Sequence, residues 1–171
     1  MGGETITSVG IDVGTSTTQL IFSKIKIENR ASSYTAPRIS IVGKEVFYRS
    51  PIYFTPLLSS TEIDAEAVKR IVTEEYKRAG MTPAMVNTGA IIITGDTARK
   101  KNANQLLSAL SALSGDFVVA TAGPDLESVL SARGAGTDKI SEDNRAVVAN
   151  LDVGGGTSNI ALYEKGSLRG V

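Results

Sequence analysis

The chain reads as an α/β protein in which one strand-and-helix order begins twice. Three observations predict this. Apolar runs alternate between strand and helix periods in the order β-β-β-α-β-α-β-α, and after a polar stretch the β-β-β opening starts again. Two similar segments open the two halves: Gly10-Ile11-Asp12-Val13-Gly14-Thr15-Ser16-Thr17-Thr18 and Leu151-Asp152-Val153-Gly154-Gly155-Gly156-Thr157-Ser158-Asn159. Finally, 171 residues with 42% hydrophobic and 21% charged content suit a globular core of one domain plus the start of another.

Residues 5–13 read as a buried strand and 18–27 as its hairpin partner, with Leu20, Phe22, Ile25 and Ile27 at apolar positions. A third strand is expected at 38–48, and Ile52-Tyr53-Phe54, between Pro51 and Pro56, either extends it or forms an edge. An amphipathic helix follows over 64–79, its stripe made by Ala67, Val68, Ile71, Val72, Tyr76 and Ala79, and Gly80 stops it. Thr82-Pro83 opens a short helical turn, and residues 90–94 form the fourth strand. The helix after Asp96 carries Leu106, Leu107, Leu110 and Leu113. Residues 117–122 form the fifth strand, and Pro124 starts a helix to about 132 that Gly134 and Gly136 break. The polar run 138–144 reads as a join between domains, and 145–153 with 158–164 as a second hairpin. Hairpin links followed by right-handed crossovers predict a sheet order of 3-2-1-4-5, with strand 2 alone running against the others.

The two aspartate segments carry the chemistry. In each, a strand ends in an aspartate and a glycine turn bearing hydroxyls leads into the next strand. Glycines permit positive φ and let backbone N–H groups approach an anion closely. Gly14, Gly154, Gly155 and Gly156, with the hydroxyls of Thr15, Ser16, Thr17 and Thr157, are therefore the candidate phosphate cradle. A carboxylate beside phosphates makes sense where it holds Mg²⁺ or its waters, and Asp12 and Asp152 fit that role. Either could also orient an attacking water. Two such loops facing each other across a cleft can hold ATP and its metal. Glu127 is a further candidate for positioning water, and Asp96 reads as a helix cap, with Thr94 and Asp96 secondary candidates for the cleft. Arg99, Lys100 and Lys101 read as a solvated helix face.

Composition excludes other classes. Lys+Arg and Asp+Glu are 18 each, so there is no electrostatic footprint for nucleic acid or an anionic membrane. With no cysteine and no histidine, disulfides, thiolate chemistry, His general bases and the common zinc sites are unavailable. No Gly-Lys-Ser/Thr loop of the P-loop type is present, and no apolar run approaches a membrane span. Nothing at the N-terminus reads as a secretory signal, so the cytoplasm is the expected compartment.

The element order resembles the ribonuclease-H-like domain, whose doubled form is the architecture of the acetate and sugar kinase, heat-shock chaperone and actin superfamily. The expected fold is thus a ribonuclease-H-like domain over 1–137, a join over 138–144, and the first hairpin of a second such domain over 145–171. The aspartate loops look like that superfamily's two phosphate motifs. A narrower likeness lies in Ser8–Gln19, in Ser50-Pro51-Ile52-Tyr53-Phe54-Thr55-Pro56, and in Gly89-Ala90-Ile91-Ile92-Ile93-Thr94-Gly95. Asp116-Phe117-Val118-Val119-Ala120, Ala122-Gly123-Pro124 and Leu126-Glu127-Ser128-Val129 add to it. Together these resemble the ethanolamine ammonia-lyase reactivating factors.

That resemblance implies an ATPase chaperone that releases damaged cobalamin from inactivated ethanolamine ammonia-lyase. ATP and Mg²⁺ are then its own ligands, and adenosylcobalamin belongs to the client enzyme. It also implies association with a bacterial ethanolamine microcompartment and allows a homo-oligomer. The superfamily's adenine-binding glycines lie downstream of the second loop, so the sequence reads as a fragment whose second hairpin lacks a packing partner. Chaperone ATPases of the superfamily place an acidic residue before a proline near the fifth strand, whereas Gly123 precedes Pro124 here. A small-molecule kinase and an actin-like filament protein of the same superfamily are the alternatives.

Overall fold

The computed structural model describes residues 3–29, 39–94, 102–111, 113, 116–121 and 123–171, the stretch 116–121 by its backbone. Strands β1 (Glu4–Val13) and β2 (Thr17–Asn29) form an antiparallel hairpin, and β3 (Ile39–Arg49) lies antiparallel on β2. A two-residue strand β4 (Tyr53–Phe54) also pairs with β2, at Thr17 and Thr18, and so continues the line of β3 along the same edge after a break at Ser50–Ile52. Two further short strands, β5 (Leu57–Ser59) and β6 (Glu62–Ile63), make a small hairpin that the apolar pattern does not announce.

Helix α1 (Ala65–Arg78) begins and ends where its residues dictate. The Asp64 carboxylate accepts from the Ala67 N–H at 2.8 Å, filling one of the orphan donors of the first turn. At the other end Gly80 takes φ 66°, Met81 N–H donates to Tyr76 C=O and Gly80 N–H donates to Lys77 C=O. This is a Schellman stop, and it requires the left-handed conformation that glycine adopts without a Cβ penalty. A 3-10 turn at Pro83–Met85 leads to β7 (Thr88–Ile93), which runs parallel to β1. Helix α2 (Ala103–Ser111) then leads to β8 (Asp116–Thr121), parallel to β7. The sheet order is β3-β2-β1-β7-β8 with β2 opposing the rest, as the hairpin-then-crossover order predicts. Asp96, Arg99, Lys100 and Lys101 lie outside the described residues.

Strand periodicity decides what faces the core. Val9, Ile11 and Val13 of β1 are buried with Leu20, Phe22, Ile91 and Ile93 against Val68, Val72 and Tyr76 of α1 and Leu106 and Leu110 of α2. Phe22 meets Tyr76 edge-on at 4.8 Å. Alternation sends Gly10 and Asp12 to the opposite face, away from both helices. The fully buried Glu75 carboxylate of α1 accepts hydrogen bonds from the hydroxyls of Tyr48 (2.7 Å) and Tyr53 (2.6 Å) and pairs with Arg78 at 2.8 Å. That network ties the helix to β3 and β4.

The second half departs from expectation in two ways. Helix α3 (Pro124–Gly134) continues through Gly134, and the polar run expected as an inter-domain join is itself helical, α4 (Thr137–Asp143), entered through Gly136 at φ 76°. Strands β9 (Val147–Val153), β10 (Ser158–Glu164) and β11 (Ser167–Gly170) form a separate antiparallel sheet. Both α3 and α4 pack on it, with Ala132, Ala161 and Tyr163 forming a small second core. The hairpin expected to lack a packing partner therefore has one within this chain. Among the described residues, no helix is long and apolar enough to cross a membrane.

Candidate functional site

The two aspartate loops are built alike. Asp12 sits opposite Gln19 across the β1–β2 ladder, and Asp152 sits opposite Asn159 across β9–β10. In the first loop Gly14 N–H donates to Thr17 C=O at 2.8 Å, and in the second Gly154 N–H donates to Thr157 C=O at 2.9 Å. Each aspartate is thus two residues before a glycine whose N–H closes a four-residue turn.

The loops face each other. One cavity is lined by Asp12, Gly14, Thr15, Ser16 and Thr17 from the first, by Asp152 and Val153 through Thr157 from the second, and by Thr94 and Glu127. All the residues expected as phosphate cradle and metal ligands, with Glu127, are brought together there. The glycines, however, serve a different need from the one their type suggests. Positive φ occurs among described glycines at Gly80, Gly136 and Gly166, and not in either loop. What the loops need is the missing side chain. A Cβ on Gly155 would overlap the Ser16 Cβ and Oγ, and one on Gly14 would stand 3.2 Å from the Thr17 carbonyl oxygen. Gly156 lies beside Thr15, where a Cβ would meet Cγ2 at 3.6 Å.

Acidic groups gather at the cleft floor from three segments: Asp12 from β1, Glu127 from the first turn of α3, and Asp152 from β9. The Asp12 side chain is reached by water at the cleft mouth while protein encloses it beneath. Its carboxyl is pushed up from 3.8 to about 6, first by loss of hydration and then by the negative charges of Glu127 and Asp152. A hydrogen bond with the Thr94 side chain works in the opposite direction. Thr94 stands just past the end of β7, its N–H donating to Val13 C=O at 3.2 Å. Thr94 was legible only as a secondary candidate, because one threonine after a buried strand has no distinguishing spacing. Ile92, Leu130 and Ser131 line an adjoining, more open cavity that shares Asp12, Thr94, Glu127 and Asp152 with the cleft. That α3 lines the cleft follows from its packing on the second sheet, which its sequence does not signal.

Arranged this way, the site presents glycine-turn backbone and hydroxyl groups for an anion on two sides and carboxylates for a cation between them. Among the described residues, no three acidic side chains converge closely enough to cage a metal alone.

Comparison with known proteins gives this arrangement a setting. The crystal structure of the Aquifex aeolicus member of the Ppx/GppA protein family matches with a TM-score of 0.57 at 16% identity, covering 97% of this chain and 50% of that one. A second structure of the Aquifex aeolicus PPX-GPPA enzyme matches with a TM-score of 0.56 at 16% identity, over 97% of this chain and 51% of that one. At that identity the likeness concerns the fold alone, and it agrees with the ribonuclease-H-like architecture. In sequence, the chain is 44% identical over 170 residues to the ethanolamine ammonia-lyase reactivase EutA of Escherichia coli (strain K12), covering 99% of this chain and 36% of that protein. The Salmonella typhimurium (strain LT2) protein of the same name gives the same identity and coverage. This chain thus spans 36% of the length of those relatives. The sequence model for the ethanolamine utilisation protein EutA matches residues 4–171, nearly the whole chain, and the chain belongs to that family.

Proposed function

We propose that this chain supplies the phosphate- and magnesium-binding cleft of an ATP-dependent chaperone that reactivates ethanolamine ammonia-lyase by releasing damaged cobalamin from it. One observation carries the reading: the two loops meet closely enough that a Cβ on Gly155 would overlap Ser16, above a floor containing Asp12, Glu127 and Asp152. A ligand seated there is gripped from both sides. The all-oxygen donor set fits Mg²⁺, which is commonly held by one or two carboxylates with phosphate oxygens and waters completing its shell. Asp12 and Asp152 are the residues to hold it.

Each part of the chain then has a task. Loop N–H groups and the hydroxyls of Thr15, Ser16, Thr17 and Thr157 bind phosphate oxygens. Asp12 and Asp152 hold the cation, which when bound offsets phosphate charge and polarises the terminal phosphoryl group. Glu127 orients the attacking water from the α3 side of the cleft. Since α3 packs on the second sheet, the division at 1–137 is redrawn in this reading: α3 moves with the second unit and carries Glu127 across the cleft. The client, its adenosylcobalamin, a cytoplasmic or microcompartment setting and any homo-oligomer belong to the same proposal. The lyase as client is supported by the names of the relatives.

The test is calorimetric titration of Mg·ATP into this chain and into its Asp12→Asn and Asp152→Asn variants. Saturable binding that both substitutions weaken is expected. Reactivation of cobalamin-inactivated lyase by the longer protein, dependent on Mg·ATP and lost in the same variants, extends the test to the client. Phosphate transfer to a small-molecule acceptor in place of reactivation would favour the kinase alternative.

A further inference from the structure

The Ser50–Pro56 stretch is a distinctive sequence segment that does not line the cleft itself. It runs along the back of the first loop. The Thr55 hydroxyl donates to the Gly14 carbonyl at 2.8 Å, and the Thr55 N–H donates to the Ser16 carbonyl at 2.9 Å. The same hydroxyl lies 3.0 Å from that of Thr18, and both threonines are buried. Ser50, also buried, anchors the upstream end: its hydroxyl accepts from Leu20 N–H at 2.9 Å and donates to the Pro51 carbonyl at 2.7 Å.

We infer that Thr55 is a positioning residue for the first phosphate loop, a role that rests on the nucleotide reading above. A trans peptide holds its C=O and N–H on opposite sides of one plane. Tying the Gly14 and Ser16 carbonyls back to Thr55 turns the Thr15 and Thr17 N–H groups the other way, away from the strap. Those are the amides a phosphate approaching from the second loop meets. The loop is thereby ordered before the ligand arrives, and the ordering cost is not charged against binding. The threonine supplies both halves of the clamp, one from its backbone and one from its side chain. The hydroxyl is the half a substitution can remove.

The experiment compares Thr55→Val, which keeps the shape, with Thr55→Ser, which keeps the hydroxyl, by Mg·ATP calorimetry and thermal melting. Asn102→Ala serves as the control for lost stability: it removes the amide that bridges Ile63 N–H and C=O at 2.9 and 2.6 Å, on the α2 side of the sheet. T55V should weaken binding roughly five- to tenfold, as losing one buried hydrogen bond implies. T55S should bind like the parent, and N102A should melt earlier with binding unchanged. Backbone amide exchange at Thr15 and Thr17, followed by NMR without nucleotide, provides an independent reading. It should quicken in T55V and return to the parent rate in T55S. A parent that fails to bind Mg·ATP refutes the nucleotide reading while the exchange rates still decide the clamp. Unchanged exchange and affinity in T55V, or T55S behaving like T55V, overturns the inference. If T55V does not fold, Thr55→Ala is read by the same criteria.

Discussion

Replacing Asp12 with asparagine should stabilise the ligand-free protein, and only above a definite pH. In the folded chain the Asp12 carboxyl is raised from 3.8 to about 6, by loss of hydration first and by Glu127 and Asp152 next. A raised carboxyl means that folding opposes its ionisation. The folded state binds more protons than the unfolded one between those two values, so stability is fully present below the lower value and lost as pH rises through the upper. Full burial would make that loss about 3 kcal/mol. The Asp12 side chain is open to water at the cleft mouth, and solvent screening reduces the expectation to about 1 kcal/mol. Asparagine carries no charge and removes the penalty. Urea unfolding followed by circular dichroism suits a chain with no tryptophan and 5 tyrosines, in buffers free of divalent cations. The two proteins should match near about pH 4 and diverge by about 1 kcal/mol near about pH 8, the variant being the more stable. Mg²⁺ with nucleotide should then raise the parent's stability and leave the variant where it was. A variant less stable than the parent, or a difference of the same size at both pH values, would falsify the account of Asp12 as a charge held at an energetic cost.

Other consequences can be measured separately. Gly155→Ala should weaken Mg·ATP binding by roughly five- to a hundredfold, the scale of about 1–3 kcal/mol of overpacking, because the new Cβ would overlap Ser16. Adding Ser16→Gly should recover much of that loss, and a double-mutant cycle with no coupling would show that the loops do not touch. Glu75→Ala should cost about 3 kcal/mol in urea unfolding, since it strands the hydroxyls of Tyr48 and Tyr53 that now donate to a buried carboxylate. In the parent, spectrophotometric titration should place Tyr48 ionisation near about 12, pushed up first by its hydrogen bond to Glu75. Glu75→Gln should lower that value, and a Tyr48 that titrates identically in both proteins would contradict the assigned bond.

The first sheet was legible because its information is local and periodic. Alternation in β1, β2 and β7, a capping aspartate at Asp64 and a stop glycine at Gly80 each act within a few residues, and connection rules then fix the strand order. The paired loops were legible because the same residue types recur in the same register. Helix α4 was not, for a physical reason: its buried residues are Thr137 and Ser141, and its one large apolar side chain, Ile140, is 48% exposed. It is held by tertiary hydrogen bonds, Ser141 Oγ donating to Ala146 C=O and accepting from Gly166 N–H. The packing of helix α3 on the second sheet was not legible on similar grounds. It buries Ser128 and Ala132 while Leu126 and Leu130 remain exposed, so no apolar stripe declares its packing face. The loop glycines do not take the positive φ that their type permits, and the approach of Gly155 to Ser16 joins distant segments and so leaves no mark on the local sequence.

The placement of Asp12 shows how the fold reconciles a core with a charged site. Period two in β1 sends Val9, Ile11 and Val13 into the helices' face, and the same geometry forces Asp12 onto the other. Asp152 is placed differently in β9: it shares a face with Asn159 and with Ala161 and Tyr163 of the second core, and α3 packs across that face. Neither sheet alone concentrates charge. The concentration arises when the two faces meet, bringing Asp12, Asp152 and Glu127 to one floor beneath loops whose amides favour anions. Carboxylates without a cation disfavour that meeting, and the raised Asp12 carboxyl registers the cost. On the proposed reading, a bound cation with its phosphates would reverse the sign, because the same carboxylates would then hold the loops' ligand in place. In the nucleotide reading proposed above, charge balance therefore links this meeting of the two faces to the binding of a metal nucleotide, because such a ligand would favour the arrangement that the bare carboxylates oppose.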